Sequence, residues 1–440
     1  AAIGGSRPMT QSREISLCVP VLARVEGEGA LDLEVHDGRI QTLRLRIFEP
    51  PRLFEKFLEG REYQEIPDMV ARICGICPVA YQMSAVHAIE GVFGLAPGPW
   101  VRAMRRVFYC GEWIQSHSLH IHLLAAPDFL GYSNVSEMAR AHPDVVRRGL
   151  ALQALGNEII RFFGGRSVHP VGARVGGFHR APSRAEVAVL QEQVRAALPE
   201  AEALVAWTAA LNLPDDPQDF VSVALRHRDE YPMNEGRIVS SDGLDMPIAD
   251  YESHFREHQE PHSTALYAAL DGRPYLVGPL ARLNLNLDRL HTPVREALGR
   301  TGIAFPSRNM FHSIVARAAE IHYALLEASR LLEDYTEPEA PFVPAVPRSG
   351  IGYGCTEAPR GLLWHRYDLD AAGQVLHARI VPPTSQNQAH IEADLRHSLE
   401  ALGLDRDDET LRQQAEMVIR NYDPCISCAT HFLTVRVARR

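Results

Sequence analysis

Two cysteine pairs with the same internal spacing stand near opposite ends of this chain, Cys74-Gly75-Ile76-Cys77 and Cys425-Ile426-Ser427-Cys428. Two thiols three positions apart can chelate one metal ion from a single turn of backbone. Each pair alone supplies half of a four-coordinate site. If both close on one centre, the fold must carry position 425 back against position 74 and bury the result. That requirement constrains the topology more than any other feature of the sequence.

The remaining cysteines, Cys18, Cys110 and Cys355, are isolated, and the total of seven is odd. This is a poor basis for a disulfide framework. It reads as a reducing compartment in which thiolates hold metal. A length of 440 residues allows two or three average domains, or one large one with a deep core. The net charge of -10 argues against general nucleic-acid binding. There is no uninterrupted apolar run of about 18 residues, so no membrane-spanning helix is expected. The N-terminus carries no apolar leader, and residues 1–8, just before Met9, read as a cloning scar.

Along the chain, Leu31, Leu33 and Val35 alternate with polar residues, Asp37-Gly38 offers a turn, and Leu43, Leu45 and Ile47 alternate again. This predicts a β-hairpin within residues 15–49. A helical pattern begins at Leu53 and carries Glu55. Residues 101–126 contain no proline and predict a long helix bearing His117, His120 and His122. A second helix is expected over 144–163, stopped by Gly164-Gly165. A third opens at Ser183 and Glu186, which have capping-box spacing. A fourth covers 309–335, with Ile314, Ala318, Ile321 and Leu325 on one face. Residues 214–306 read as short strands and loops, 338–359 as a proline-rich linker, and 410–421 as a last helix leading to the second cysteine pair. The expected fold is α+β and predominantly α-helical: a central bundle of long helices with peripheral β-structure and a buried metal site. A β-rich part over 9–60 and a helical bundle over 61–431 would form one large domain.

Four thiolates arranged as two pairs are soft ligands, suited to zinc, iron, an iron–sulfur cluster or nickel. The pairs of a zinc ribbon usually lie within about 15–20 residues of each other, so a structural zinc is disfavoured by the spacing here. Glu26, Glu55, Arg360, Asp423 and His431 sit in short motifs (VEGEG, FEKF, EAPRG, DPC, CATH) and not on plain amphipathic faces. Each alone reads as an ordinary surface or capping residue.

Taken together, RICGIC, DPCISCATH, VEGEG, HPVGARVGG and EAPRG closely resemble the large, catalytic subunit of nickel–iron hydrogenases, over about residues 15–431. The stretches IFEPPRLFEKFLEGR and CPVAYQMSAVHAIE resemble its soluble, cytoplasmic, NAD(P)-linked sulfhydrogenase branch. The resemblance implies reversible heterolytic cleavage of H2. It implies Cys74 and Cys425 as terminal nickel ligands, with Cys77 and Cys428 bridging nickel to an iron that carries carbon monoxide and cyanide. Glu26 would transfer protons, Arg360 would lie over the site near the cyanides, and Asp423 precedes the second pair as expected. Glu55 and His431 would hold a buried Mg2+.

Two positions depart from the family pattern, Tyr81 in place of a histidine and Ser116 in place of an aspartate. His87 and His117 are candidates to compensate, although a core histidine with a backbone partner is the favoured reading of each. The chain has neither a cluster-relay cysteine pattern nor a G-x-G-x-x-G fingerprint. The resemblance therefore implies an iron–sulfur small subunit and diaphorase-type nucleotide-binding subunits as partners, together with maturation chaperones and a C-terminal protease. Residues 432–440 follow the last motif, either as a retained extension or, the favoured reading, as a propeptide that makes this chain an unprocessed precursor. The alternatives are a metal-free structural relative, as in the quinone-reducing respiratory complex, and a zinc scaffold held by the four paired cysteines.

Overall fold

The computed structural model describes residues 14–430. Residues 1–13, with the expected scar among them, and residues 431–440, with His431 among them, lie outside the described residues. The chain opens with an antiparallel sheet of β1 (Ile15–Val19), β2 (Gly29–His36) and β3 (Arg39–Ile47). Leu33 faces Leu43 and Leu31 faces Leu45 across the β2–β3 pair. Asp37 and Gly38 both have positive φ, 51° and 69°, the turn that matches the twist of a tight hairpin. The alternation turns Leu31, Leu33, Val35, Leu45 and Ile47 into the core.

Five long helices follow: α1 (Pro78–Phe93), α2 (Pro99–Leu119), α3 (Pro143–Gly164), α4 (Arg184–Ala209) and α5 (Ser313–Glu333). α2 packs on α3 and α5, and α5 packs on α4. α3 crosses α2 at backbone contact, because a Cβ on Gly156 would lie 2.5 Å from the Gln115 nitrogen. Gly165, at φ 76°, ends α3, and Ser183 with Glu186 forms the capping box that opens α4. The helix expected to run through residue 126 starts at Pro99, passes into a π-helical turn over His120–Ala125, and ends in the short helix Ala126–Phe129.

The middle of the chain differs from expectation. Besides short strands it holds the helices Pro279–Asn286 and Thr292–Gly299. The expected linker ends in a strand, β4 (Gly350–Ala358), which pairs with β5 (Gly361–Leu369), which in turn pairs with β6 (Val375–Val381). β4 lies flat on α1: a Cβ on Gly354 would come within 1.9 Å of the Ser84 carbonyl oxygen. α6 (Pro383–Leu402) and α7 (Asp408–Asn421) complete the fold. No helix among the described residues is long and apolar enough to cross a membrane.

Candidate metal centre

The first cysteine pair is built into the start of α1. Cys77 is its N-cap and Pro78 its first residue, where the missing N–H costs nothing. The next free amides are taken by a carboxylate from α2: Val79 N and Ala80 N donate to Glu112 at 2.6 and 3.0 Å. A carboxyl group at a helix N-terminus satisfies orphan donors; burial raises the pKa of Glu112 well above the usual carboxylate range, and the two amides pull it back down. Gln115, one turn further along α2, donates to the Ile76 carbonyl. Cys74 Sγ accepts from Ile76 N at 3.3 Å and Cys77 N at 3.4 Å.

The second pair lies in the turn after α7. Asp423 takes φ 55°, and the short helix Ile426–Ala429 follows. The amides here are claimed from elsewhere. Cys425 N donates to Thr384 Oγ1 at 3.0 Å, Ile426 N to the Glu26 carbonyl at 3.0 Å, and Ser427 N to Glu26 Oε2 at 3.0 Å. Ser427 Oγ donates to Glu26 Oε1 at 2.5 Å. Arg52 ties the halves together, donating to the Ile73 carbonyl at 2.6 Å and to that of Ser427.

The four Sγ atoms converge within 4.8 Å of one another, all buried. Cys425 and Cys428 are 2.8 Å apart, Cys74 and Cys425 3.3 Å, and Cys77 and Cys428 3.7 Å. Burial pushes the Cys425 and Cys428 thiols up, whereas hydrogen bonds from Cys425 and its neighbours draw Cys74 down. Ionising all four thiols at this spacing requires a cation between them, so the donor set fits a soft metal centre.

Charged groups ring the thiols. Glu26 Oε2 is 3.2 Å from Cys425 Sγ. Arg360, buried, donates from Nε to the Asp423 carbonyl at 2.8 Å, from Nη2 to Asp423 Oδ1 at 3.0 Å and from Nη1 to Ser116 Oγ at 3.4 Å. Burial opposes its charge, but Asp423 and the thiols outweigh burial and raise its pKa further. Arg317 lies near Asp423, and burial lowers its pKa to about 10. Asp423 Oδ2, beside Arg360, is buried without a partner.

The structure thus brings Cys74, Cys77, Cys425, Cys428, Glu26, Arg360 and Asp423 together. Glu55 stands apart, on the short helix Phe54–Leu58, where Oε1 accepts from Ile380 N on β6 at 2.7 Å. Of the two departures from the family pattern, Ser116 contacts Arg360 directly. Tyr81 is buried one turn into α1, its ionisation pushed up first by burial and then by Cys428 and Cys77. His87 has a backbone partner at Asn234, as expected. His117 does not: its Nε2 lies 2.8 Å from Glu320 Oε2, a buried carboxylate. Burial lowers its pKa to about 4, so the neutral ring donates that hydrogen bond. Sequence reasoning missed Arg52, Glu112, Gln115, Arg317 and Thr384. Only Thr384 had a signal, a polar run directly after Pro382-Pro383.

Comparison with known proteins agrees with this geometry. The family model for nickel-dependent hydrogenase matches residues 52–147 and 249–431, and the chain belongs to that family. It is 32% identical over 421 residues to sulfhydrogenase 1 subunit alpha of Pyrococcus furiosus, covering 95% of this chain and 98% of that one. It is 30% identical to the NAD-reducing hydrogenase HoxS subunit beta of Cupriavidus necator, covering 95% of each. Among solved structures, a NAD+-reducing [NiFe]-hydrogenase in the H2-reduced state superposes with a TM-score of 0.85 at 29% identity, over 95% of this chain and 99% of that one. The Ni-Fe-Se hydrogenase of D. vulgaris Hildenborough shares the fold, with a TM-score of 0.77 at 23% identity over 95% of this chain and 100% of that one.

Proposed function

We propose that this chain is the catalytic subunit of a cytoplasmic hydrogenase that cleaves H2 heterolytically, or forms it, and passes electrons to an iron–sulfur partner subunit and on to NAD(P) through diaphorase-type subunits. The convergence of four buried thiols with Glu26 and Arg360 carries this reading. Cys74 and Cys425 would hold nickel, and Cys77 and Cys428 would bridge it to an iron bearing carbon monoxide and cyanide. When bound, the centre supplies the redox and Lewis-acid chemistry for splitting H2.

The chain's own groups do the rest. Glu26 Oε2, 3.2 Å from Cys425 Sγ, can take a proton from that sulfur, and the Ser427 hydroxyl and amide fix its orientation. Arg360 keeps its charge in the buried site and so can hold anionic ligands with hydrogen bonds. The four thiols themselves are buried, with the part-exposed Glu26 and Ser427 at the edge of the site. Glu55, with His431, would hold Mg2+ and brace the chain ends. The tail 432–440 would be removed by a maturation protease after chaperone-assisted nickel loading.

Metal analysis of the processed complex tests the reading. Equimolar nickel and iron, infrared bands from iron-bound carbon monoxide and cyanide, and a mass that ends at His431 are expected. Zinc alone would establish the four-cysteine zinc scaffold, and a metal-free complex the structural relative.

A further inference from the structure

Arg360 sits on neither a helix nor a strand. Ala358 pairs with Gly361, so Pro359 and Arg360 form the whole connection between β4 and β5. A two-residue tip aims its side chains only as well as its peptide planes are held. Its carbonyls point inward, where unpaired ones would be costly.

One buried side chain takes the carbonyls that lead into this tip. Arg282, in the helix Pro279–Asn286, donates from Nη1 to the Ala358 carbonyl at 2.6 Å and from Nη2 to the Pro359 carbonyl at 3.1 Å. Its other three donor contacts go to carboxylates: Nε to Glu320 Oε1 at 2.9 Å, Nη2 to Glu320 Oε2 at 2.8 Å and Nη1 to Glu357 Oε2 at 2.9 Å. A guanidinium has five N–H donors, and all five are used. The Trp113 ring lies 4.5 Å from the guanidinium carbon. Glu320, which Arg282 itself holds ionised, neutralises the buried guanidinium.

We propose that Arg282 is a positioning residue for Arg360: it pins the two peptide planes that aim the Arg360 guanidinium at Asp423 and the thiols. The catalytic consequence rests on the function proposed above; the placement does not. Lysine at 282 keeps the charge but, with a single point donor, cannot reach all five acceptors.

The test uses Arg282→Lys and Arg282→Gln in the purified holoenzyme. Amide exchange at residues 357–362 should rise about tenfold or more while the α2–α5 core stays protected. H2 turnover should fall about tenfold with KM little changed. In an Arg360→Lys background, Arg282→Lys should add almost nothing, because the pair acts as one unit. Faster exchange at the hairpin with unchanged turnover would support the positioning and count against the catalytic role of Arg360. Additive losses, unchanged exchange at 357–362, or failure of both variants to give folded protein would overturn the proposal; the last would make Arg282 a requirement of the core.

Discussion

The two halves of the metal site rest on different foundations. The first pair is an extension of the helix bundle: the Val79 and Ala80 amides that follow it are held by Glu112, and the Ile76 carbonyl within it by Gln115, both of α2, the helix that succeeds α1 in the chain. The Val79–Glu112 contact spans 33 positions. The second pair has one contact of similar span, Cys425 N to Thr384 Oγ1 across 41 positions; its other ties are remote. Glu26 reaches Ser427 across 401 positions and Arg52 reaches it across 375. Closing a longer loop costs more chain entropy, and such contacts form after the local ones. One half is therefore laid down with the core, and the other is fastened on by the N-terminal segment. If a centre is loaded between them, the half fastened by remote contacts is the one expected to open for it.

Removing one anchor from each side tests this asymmetry most directly. Glu112→Ala leaves two buried helix amides without an acceptor. It should cost about 4 kcal/mol of global stability, measured by denaturant unfolding. Arg52→Ala should leave the unfolding midpoint almost unchanged but raise amide exchange at residues 426–430 about tenfold or more. If Arg52→Ala instead unfolds the chain as readily as Glu112→Ala does, the second half belongs to the core and the asymmetry is gone.

The bundle beneath the first half also carries a pH signature. Folded His117 has its pKa lowered from 6.5 to about 4 by burial. Between those values the unfolded chain binds a proton that the folded chain refuses, so His117 makes the protein lose stability as pH falls from 6.5 to 4. Glu357, raised by burial from 4.5 to about 7, acts in the opposite sense and gains stability as pH falls from 7 to 4.5. The two largely cancel. Glu320 starts from burial as well, but Arg282 and His117 lower it to about 2, so its contribution is lost below pH 4.5. His117→Gln keeps an N–H for Glu320 and does not titrate. The stability difference between wild type and this variant should therefore change by about 3 kcal/mol between pH 6.5 and 4, with wild type losing ground. A constant difference across that range would show that His117 is protonated in the folded protein.

The same contrast governs what could be read in the sequence. The β2–β3 hairpin, the helices α2 to α5 and α7 were legible because their apolar periodicity and caps are local; α1 was not anticipated. The thiol cluster was legible because chelating pairs keep a fixed spacing wherever they lie. α6 was not: its buried face carries Thr384, Ser385, Gln386, Asn387 and Gln388, so it looks polar. Several of these serve distant backbone, as Asn387 does at Val277. β4 was hidden for a related reason. Its glycines are spaced for contact with α1, and in sequence they resemble a linker. Glu112, on a helix with many polar residues, carries no mark of its task, because the helix end it caps belongs to a different element.

The smallest effect is expected at the far end of the bundle, and it tests whether the halves are insulated from it. Ser183 Oγ accepts from Glu186 N at 3.3 Å, and the Glu186 carboxylate returns to Ser183 N at 2.7 Å. Ser183→Ala removes one side of this box and should cost about 1 kcal/mol in thermal or denaturant unfolding. α4 packs on α5, on α3 and on the helix Thr292–Gly299, and a frayed first turn leaves their buried faces in place. Turnover, nickel content and exchange at 426–430 should all be unchanged. A fall in nickel content with so small a loss of stability would mean that loading senses the stability of the whole bundle, and the second half would no longer be the only gate.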